Sequence, residues 1–255
     1  MNPKSEPTRT YQFEILRYDA LQGGAPRFQI YTLTPARKLS VLEALLTIQN
    51  EQDPSLAFRY ACRGAVCGSC AMSVNGKLSL ACRVQLEDVA GDRVVLAPLP
   101  RFHILKDLVV DMEPFWQKFR RVQPWLHAEI RNAQDARMSE AARARIDQYV
   151  TCILCGLCCA AGPALRANED CSGPAALARL YRFLADSRET GRAATLEQEN
   201  SQQGMWGCRT ITRCIDACPK HVRPTDAITG VRRRLLREKI GSWTRRRRSR
   251  DQDQV

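Results

Sequence analysis

Hydrophobic and polar positions alternate in two segments near the N-terminus, YQFEIL at 11–16 and RFQIYTL at 27–33. Such alternation is typical of strands with one buried face. Glycine and proline at 23–26 predict a turn between them. Asn75-Gly76, inside SVNGKLSLAC, predicts a hairpin, and DRVVLAPL at 92–99 predicts a further strand. The first hundred residues are therefore expected to be rich in β-structure.

One segment among these strands has a different period. SVLEALLTIQNEQ at 40–52 repeats its apolar residues with helical spacing, and Ser40 with Glu43 predicts a capping box at its start. Two strands, a helix and further strands predict a β-grasp sheet packed on one helix. We therefore expect residues 1–104 to form one domain around this sheet.

From about residue 105 the pattern becomes helical. ILKDLVVDMEPFWQKFRRV, a connector at 104–122, has apolar residues at mixed helical spacing, and a polar stretch at 190–206 predicts a loop with a short helix. The fold class predicted for the whole chain is α+β, with an all-α domain at 105–240 and a basic, disordered tail at 241–255. The helices predicted for the second domain span 139–150, 173–189 and 225–240.

Composition separates a metal protein from a disulfide framework. The chain has 255 residues and 12 Cys. Its polar N-terminus predicts no signal peptide, and no apolar run is long enough to cross a bilayer. In a reducing compartment, clustered Cys residues indicate metal ligation more often than disulfides.

The formal charge of +12 is concentrated near the C-terminus, where 232–250 contains many Arg and Lys residues. A solvated tail is the first interpretation of this run, attraction to anionic lipid is the second, and nucleic acid is a distant third because no nucleic-acid-binding motif accompanies it.

The first Cys group has the plant-type [2Fe–2S] spacing, C-x₄-C-x₂-C followed by a distant Cys. Gly64 and Gly68 are expected to let the loop turn tightly and bring backbone N–H groups near the sulfurs. A zinc site usually has two separated short Cys pairs, and only one is present. The predicted ligands are Cys62, Cys67, Cys70 and Cys82.

The second group, CILCGLCCAAGP at 152–163, follows the bacterial ferredoxin pattern C-x₂-C-x₂-C-x₃-C-P with one exception: Gly162 stands at the fourth Cys position. In that pattern the last ligand of each cluster is a remote Cys followed by Pro, and Cys218-Pro219 supplies it. The predicted [4Fe–4S] ligands are Cys152, Cys155, Cys158 and Cys218. From the two Cys patterns we expect 1–104 to be a plant-type ferredoxin-like domain and 105–240 to be a bacterial-ferredoxin-like one.

The third group mirrors the second and contributes Cys208 and Cys214. Its remaining partner should stand at Gly162, so the substitution removes a ligand from the third cluster. Cys159 and Cys171 are the candidate replacements. One of them would complete a [3Fe–4S] site, and both together would allow [4Fe–4S]. We favour Cys171, because Cys159 directly follows a ligand of the second cluster and its side chain should point elsewhere.

The order of these groups resembles the iron–sulfur subunit of succinate dehydrogenase and quinol:fumarate reductase. CGSCAM, LKDLVVDM, GPAALARLYRFLADSRE and CIDACPKHVRPTDAI carry the resemblance, which extends from about Tyr11 to about Ile240. It implies an oxidoreductase subunit that relays electrons between the FAD of a flavoprotein subunit and a quinone, through [2Fe–2S], [4Fe–4S] and [3Fe–4S] clusters. It also implies a peripheral position at the cytoplasmic face of the inner membrane, beside membrane-anchor subunits, and no nucleic acid.

The chain departs from this family in three places. At the third site, Gly162 replaces a ligand. In the first Cys loop, CRGAVC lacks the acidic residue and the following Gly that are usual before the second Cys. The quinone region has no Trp after Pro163, and it has Arg209 where the dehydrogenase branch has His. Arg209 and Pro163 are the candidate quinone contacts, Arg209 as a hydrogen-bond donor to a carbonyl. An electron-transfer subunit of a soluble or heterodisulfide-reductase-like flavoprotein complex stays open, as does a metal-stabilised binding protein.

Overall fold

Two compact units make up the chain. The computed structural model describes residues 9–162 and 171–252, with the backbone alone for 241–252. Unit 1 contains Met1–Pro114 and Ile153–Ala161, and unit 2 contains Phe115–Cys152 and Gly162–Val255. The division lies ten residues beyond the predicted boundary at 104, and the second Cys group is split between the units.

A five-stranded mixed sheet forms the centre of unit 1. β1 pairs antiparallel with β2 and parallel with β5, and β3 pairs antiparallel with both β4 and β5. The order across the sheet is β2-β1-β5-β3-β4. The strands are β1 (Tyr11–Arg17), β2 (Arg27–Leu33), β3 (Ala71–Val74), β4 (Lys77–Leu80) and β5 (Arg93–Ala97).

The helix predicted between the strands is α1 (Val41–Glu51), which contacts β2. Its capping box is present: the Ser40 hydroxyl accepts from the Glu43 N–H, and the Glu43 carboxylate accepts from the Ser40 N–H. The apolar face of α1 is buried, as are Phe13 and Leu96 of the sheet. Alternation and helical periodicity thus predicted these elements correctly.

The connector after the sheet begins as a hairpin, which corrects the helical pattern expected from residue 105. β6 (Ile104–Lys106) and β7 (Val109–Val110) pair antiparallel around Asp107, whose φ is 47°. The buried Asp107 carboxylate accepts the backbone N–H groups of Tyr18 and Ala57 and forms an ion pair with Arg17. These long-range contacts fix the turn, and periodicity alone does not reveal them.

Helices form unit 2. α2 (Glu113–Arg121) leads into it, and its interior is a cluster of apolar side chains that includes Val122, Leu177, Met205 and Val231. The other α-helices among the described residues are α3 (Glu140–Val150), α5 (Gly173–Leu184), α6 (Ala193–Gln198), α7 (Arg213–Asp216) and α8 (Pro224–Gln252), while α4 (Leu157–Ala161) belongs to unit 1.

The packing of α5 against α8 depends on a glycine in the middle of a helix. A Cβ at Gly230 would lie 2.1 Å from Cε2 of Tyr181. The Tyr181 ring in turn meets Tyr149 of α3 edge-on, with centroids 5.2 Å apart. Gly230 therefore leaves the space into which an aromatic side chain of α5 packs.

At the end of the chain, α8 continues through Gln252, into the segment predicted to be a basic tail. Arg is a strong helix former, and no Pro interrupts the segment after Pro224. Within the described part of the chain, no helix is both long enough and apolar enough to cross a bilayer.

Candidate metal centres

The first predicted site is a loop whose backbone N–H groups converge on sulfur. The Cys62 Sγ accepts from the N–H groups of Gly64 at 3.4 Å, Val66 at 3.3 Å and Cys67 at 3.2 Å. The Cys62 N–H donates to the Cys67 Sγ at 3.4 Å. Donors of this kind stabilise negative charge on sulfur, as a metal-bound thiolate requires.

One of the two glycines expected to turn this loop has a left-handed conformation, and two residues that were not expected also have it. Gly68 has a φ of 75°, as its predicted role requires, but the other left-handed residues are Arg63 and Ala65, each at 56°. Gly64 contributes only its N–H group to the sulfur. A left-handed conformation costs about 1–2 kcal/mol for a residue with a Cβ, so the loop holds two unfavourable backbone positions.

The four thiols of the first site are neighbours. The Cys62 N–H and Ser69 lower the pKa of the Cys67 thiol to about 6. Burial raises the pKa of the Cys70 thiol to about 12, and the side chains of Cys82 and Cys67 contribute to this increase. The Ala81 N–H donates to the Cys70 carbonyl at 3.0 Å, which brings Cys82 beside the loop. Four thiols with converging donors fit the predicted [2Fe–2S] cluster.

The second predicted site divides between the units. Cys155 and Cys158 lie in unit 1, whereas Cys152 and Cys218 lie in unit 2. In unit 2 these two cysteines pack on one cluster, formed by Tyr149, Ala178, Val222 and Ala227. The Cys218 Sγ accepts from the Val222 N–H at 3.3 Å, so a backbone donor again faces a predicted ligand.

Within unit 1 the first site touches the second. A Cβ at Gly68 would lie 2.7 Å from the Cβ of Cys155 and 3.0 Å from the Ile153 carbonyl oxygen. Real Cβ atoms do not approach this closely. A ligand loop of the first predicted cluster therefore packs directly against a ligand of the second, and only glycine fits at the contact.

The third predicted site is a cavity of about 40 Å³ in unit 2. Cys208 and Cys214 line it, and so do Gly162 and Cys171. Cys159 is buried in α4 of unit 1 and does not line it. Arg209 is part of the lining, while Pro163 lies outside the described residues. Three thiols around one small cavity fit a cluster with three Cys ligands.

Polar groups in the wall of this cavity face its sulfurs. The Thr210 N–H donates to the Cys208 Sγ at 3.4 Å, and the Thr225 hydroxyl lies 3.3 Å from the Cys214 Sγ. Burial raises the pKa of Cys214. Sequence reasoning missed Thr225 as a site residue, since its position at the start of α8 suggested only a helix terminus.

None of the 12 cysteines, all of which lie in the described part of the chain, forms a disulfide. Within residues 9–162 and 171–252, no group of three or more His, Cys, Asp or Glu side chains is arranged to hold a single metal ion. The assignment of the sites therefore depends on Cys spacing, on backbone donors and on the shared cavity.

Two family models match the chain in the order that the Cys groups predict. Residues 12–117 match the 2Fe-2S iron-sulfur cluster binding domain. Residues 144–219 match the 4Fe-4S dicluster domain. The matched segments contain the first Cys group and the second and third groups, respectively.

Curated relatives cover most of the chain. The succinate dehydrogenase iron-sulfur subunit of Coxiella burnetii is 38% identical over 233 residues, which span 89% of this chain and 97% of the relative. The fumarate reductase iron-sulfur subunit of Escherichia coli O6:H1 is 36% identical over 222 residues, 86% of this chain and 91% of the relative. That of Haemophilus influenzae is 34% identical over 228 residues, 84% and 89% of the two chains.

A solved structure shares the fold. A chain of the Mycobacterium smegmatis Sdh1 complex in the apo form matches with a TM-score of 0.82 and 25% identity, over 91% of this chain and 98% of the matched chain. A mixed sheet followed by helices is thus common to both chains.

Proposed function

The chain belongs to the family of succinate dehydrogenase and fumarate reductase iron–sulfur subunits, and we propose that it relays electrons between the FAD of a flavoprotein subunit and a quinone. The contact of Gly68 with Cys155 carries this proposal. A relay needs neighbouring centres, and this contact brings a ligand loop of one predicted centre against a ligand of the next.

Each group of cysteines has its own cluster under this proposal. Cys62, Cys67, Cys70 and Cys82 hold [2Fe–2S]. Cys152, Cys155, Cys158 and Cys218 hold [4Fe–4S], and Cys208 with Cys214 hold part of the third, of [3Fe–4S] type. When bound, the clusters supply the one-electron chemistry, and the protein sets position and potential. In fold terms, we assign the sheet of unit 1 to the β-grasp, plant-type ferredoxin-like class and the helices of unit 2 to the bacterial-ferredoxin-like class.

The protein's own groups stabilise negative charge on the ligand sulfurs and limit their access to water. Three N–H groups at the Cys62 sulfur and one at Cys218 favour the more negative, reduced state of a bound cluster. Cys70 and Cys214 are buried, at 3% and 7% exposure, which shields their sulfurs from water. No catalytic acid or base is part of this role.

The quinone and the membrane belong to the same proposal. Arg209 lines the cavity of the third site, and its guanidinium is a candidate donor to a quinone carbonyl. Membrane-anchor subunits would hold the chain peripherally, at the cytoplasmic face of the inner membrane. Pro163, the other candidate contact, lies outside the described residues.

Affinity purification of the tagged full-length chain from membranes of its native host tests this function. We expect a flavoprotein with bound FAD and small membrane subunits to copurify, and the complex to transfer electrons from succinate to a quinone analogue. A chain that binds zinc in place of iron, or one that purifies without a flavoprotein, would contradict the proposal.

The same preparation tests the alternative left open by Gly162. A soluble flavoprotein partner, together with resonance signals of two [4Fe–4S] clusters, would favour the soluble or heterodisulfide-reductase-like complex. A signal of [3Fe–4S] type in the oxidised complex would favour the quinone-linked one.

A further inference from the structure

The position that lacks the expected Cys is part of a cavity wall in unit 2. Gly162 lines the cavity that also contains Cys208 and Cys214. The loop from 208 to 214 reaches around the cavity through two left-handed residues, Thr210 at φ 59° and Thr212 at φ 62°. Gly162 therefore brings no thiol to the wall that holds Cys208 and Cys214.

Cys171 is brought to this wall by close packing. Its side chain is buried, with 1% exposed, and its Sγ would lie 3.0 Å from a Cβ placed at Gly207. Gly207 directly precedes Cys208, so the Cys171 sulfur lies against the backbone beside a predicted ligand. A Cβ at Gly207 would also meet the Gln202 carbonyl oxygen at 2.5 Å, which leaves no room for a larger residue.

The backbone beside Cys171 is clamped by a buried polar network. The Ser172 N–H donates to the Gln203 carbonyl at 2.7 Å, and the Ser172 hydroxyl donates to Glu199 Oε2 at 2.6 Å. Glu199 is fully buried and accepts from Arg121 Nε at 3.1 Å. A buried network whose members are all paired holds one conformation, so the Cys171 thiol has a defined place in the cavity wall.

The alternative residue is placed differently. Cys159 lies in α4 of unit 1, where it is 4% exposed, and it is not part of the cavity wall. Both cysteines are buried small residues, which makes Cys159 a matched control for Cys171.

We propose that Cys171 supplies the thiolate that Gly162 lacks, so that Cys171, Cys208 and Cys214 together hold the third cluster. This inference rests on the proposed function and goes beyond it, because a ligand in a different segment takes over the vacant position of the ferredoxin pattern. Three thiolates correspond to a [3Fe–4S] cluster.

Iron counting and paramagnetic resonance on the anaerobically purified full-length chain test the assignment. In Cys171→Ala we expect iron to fall from about nine to about six atoms per chain, with loss of the [3Fe–4S]-type signal and retention of the [2Fe–2S] signal. Cys159→Ala should keep all three signals. In the double variant Gly162→Cys/Cys171→Ala, the ferredoxin Cys pattern is restored, and the third cluster should form again.

The variants also separate this proposal from the function on which it rests. A wild-type chain without iron overturns the proposed function, whereas three clusters in Cys171→Ala, or loss of the third in Cys159→Ala, overturns the ligand assignment alone. If Cys171→Ala does not fold, the nearly isosteric Cys171→Ser decides: loss of the third cluster with the [2Fe–2S] signal retained supports Cys171, and an unchanged [3Fe–4S]-type signal contradicts the assignment.

Discussion

The first and third sites of this molecule are assembled in different ways. The first is local: three of its thiols and the donors to Cys62 lie between residues 62 and 70. The third is distributed, because its cavity is lined by Gly162, by Cys171, by the 208–214 loop and by Thr225 and Ile228 of α8. A local site can be predicted from spacing, whereas a distributed site depends on helix packing that brings distant residues together.

Gly68→Ala should have the largest effect, since it tests the close contact between the loop of the local site and Cys155. We expect about 3 kcal/mol of destabilisation, because the new Cβ must displace backbone in addition to adopting a left-handed conformation. The [4Fe–4S] signal should weaken more than the [2Fe–2S] signal. Denaturant unfolding and paramagnetic resonance measure the two effects.

Gly91→Ala is the matched control. Gly91 also has a positive φ, 74°, but a Cβ there meets no atom within 4 Å. We therefore expect the conformational cost alone, about 1 kcal/mol. Equal destabilisation of the two variants would show that the approach of Gly68 to Cys155 does not matter.

Gly230→Ala should affect the distributed site and leave the local one intact. The new Cβ would force the Tyr181 ring out of its place between α5 and α8. The free-energy cost of this overpacking should exceed the stabilisation that Ala gives through helix propensity, by about 1–2 kcal/mol. Iron analysis should show loss from the third cluster, with the [2Fe–2S] signal unchanged.

The effect of Gly230→Ala on stability should change sign in a Tyr181→Ala background. With Tyr181→Ala the ring is absent, and Gly230→Ala should then stabilise the protein by about 1 kcal/mol through helix propensity. Destabilisation in both backgrounds, or equal loss of the first cluster, would argue against the distinction between the two sites.

The sequence predicted the local parts of the molecule well. The strands around β1 and β2, the capping box of α1 and the hairpin at Asn75-Gly76 are where the pattern indicated. The turn at Asp107 was missed because partners far along the chain fix it. The continuation of α8 beyond Ile240 was missed because charge was interpreted as disorder.

The same contrast applies to the candidate sites. Spacing alone grouped the first four cysteines, but it left Cys171 and Cys159 as alternatives for the third cluster. The cavity wall that contains Cys171 arises from the packing of Gly207 and the Glu199 network, residues without any motif. Thr225 is also a residue without any motif, because its hydroxyl reaches the Cys214 sulfur only once α8 is packed.

Thr225→Val tests the side-chain donor of the distributed site. When Cys214 is a thiolate, the hydroxyl donates to it, and its removal should lower the potential of the third cluster by tens of millivolts, on the order of one lost hydrogen bond. Thr225→Ser keeps the hydroxyl and should keep the potential. Redox titration of the third-cluster signal gives both values, and equal potentials in the two variants would exclude this role.

Gly64→Glu is the corresponding change at the local site. A Cβ at Gly64 lies 3.7 Å from the Cys62 carbonyl oxygen, so a side chain fits without loss of the N–H donor. The added negative charge should lower the [2Fe–2S] potential by tens of millivolts, about the size expected for a solvent-screened charge. Gly64→Gln is the uncharged control, and a Glu variant with the potential of the Gln variant would contradict the electrostatic argument.

The central claim is that this chain holds three iron–sulfur clusters, two on ligand sets of standard spacing and the third on a relocated cysteine. Redox-poised paramagnetic resonance of the full-length protein in its complex, with parallel iron analysis, tests it most directly. We expect a [2Fe–2S] signal on reduction, a further [4Fe–4S] contribution, a [3Fe–4S]-type signal on oxidation that disappears in Cys171→Ala, and about nine iron atoms per chain. Only two clusters in the wild type, or a third that persists without Cys171, would contradict it.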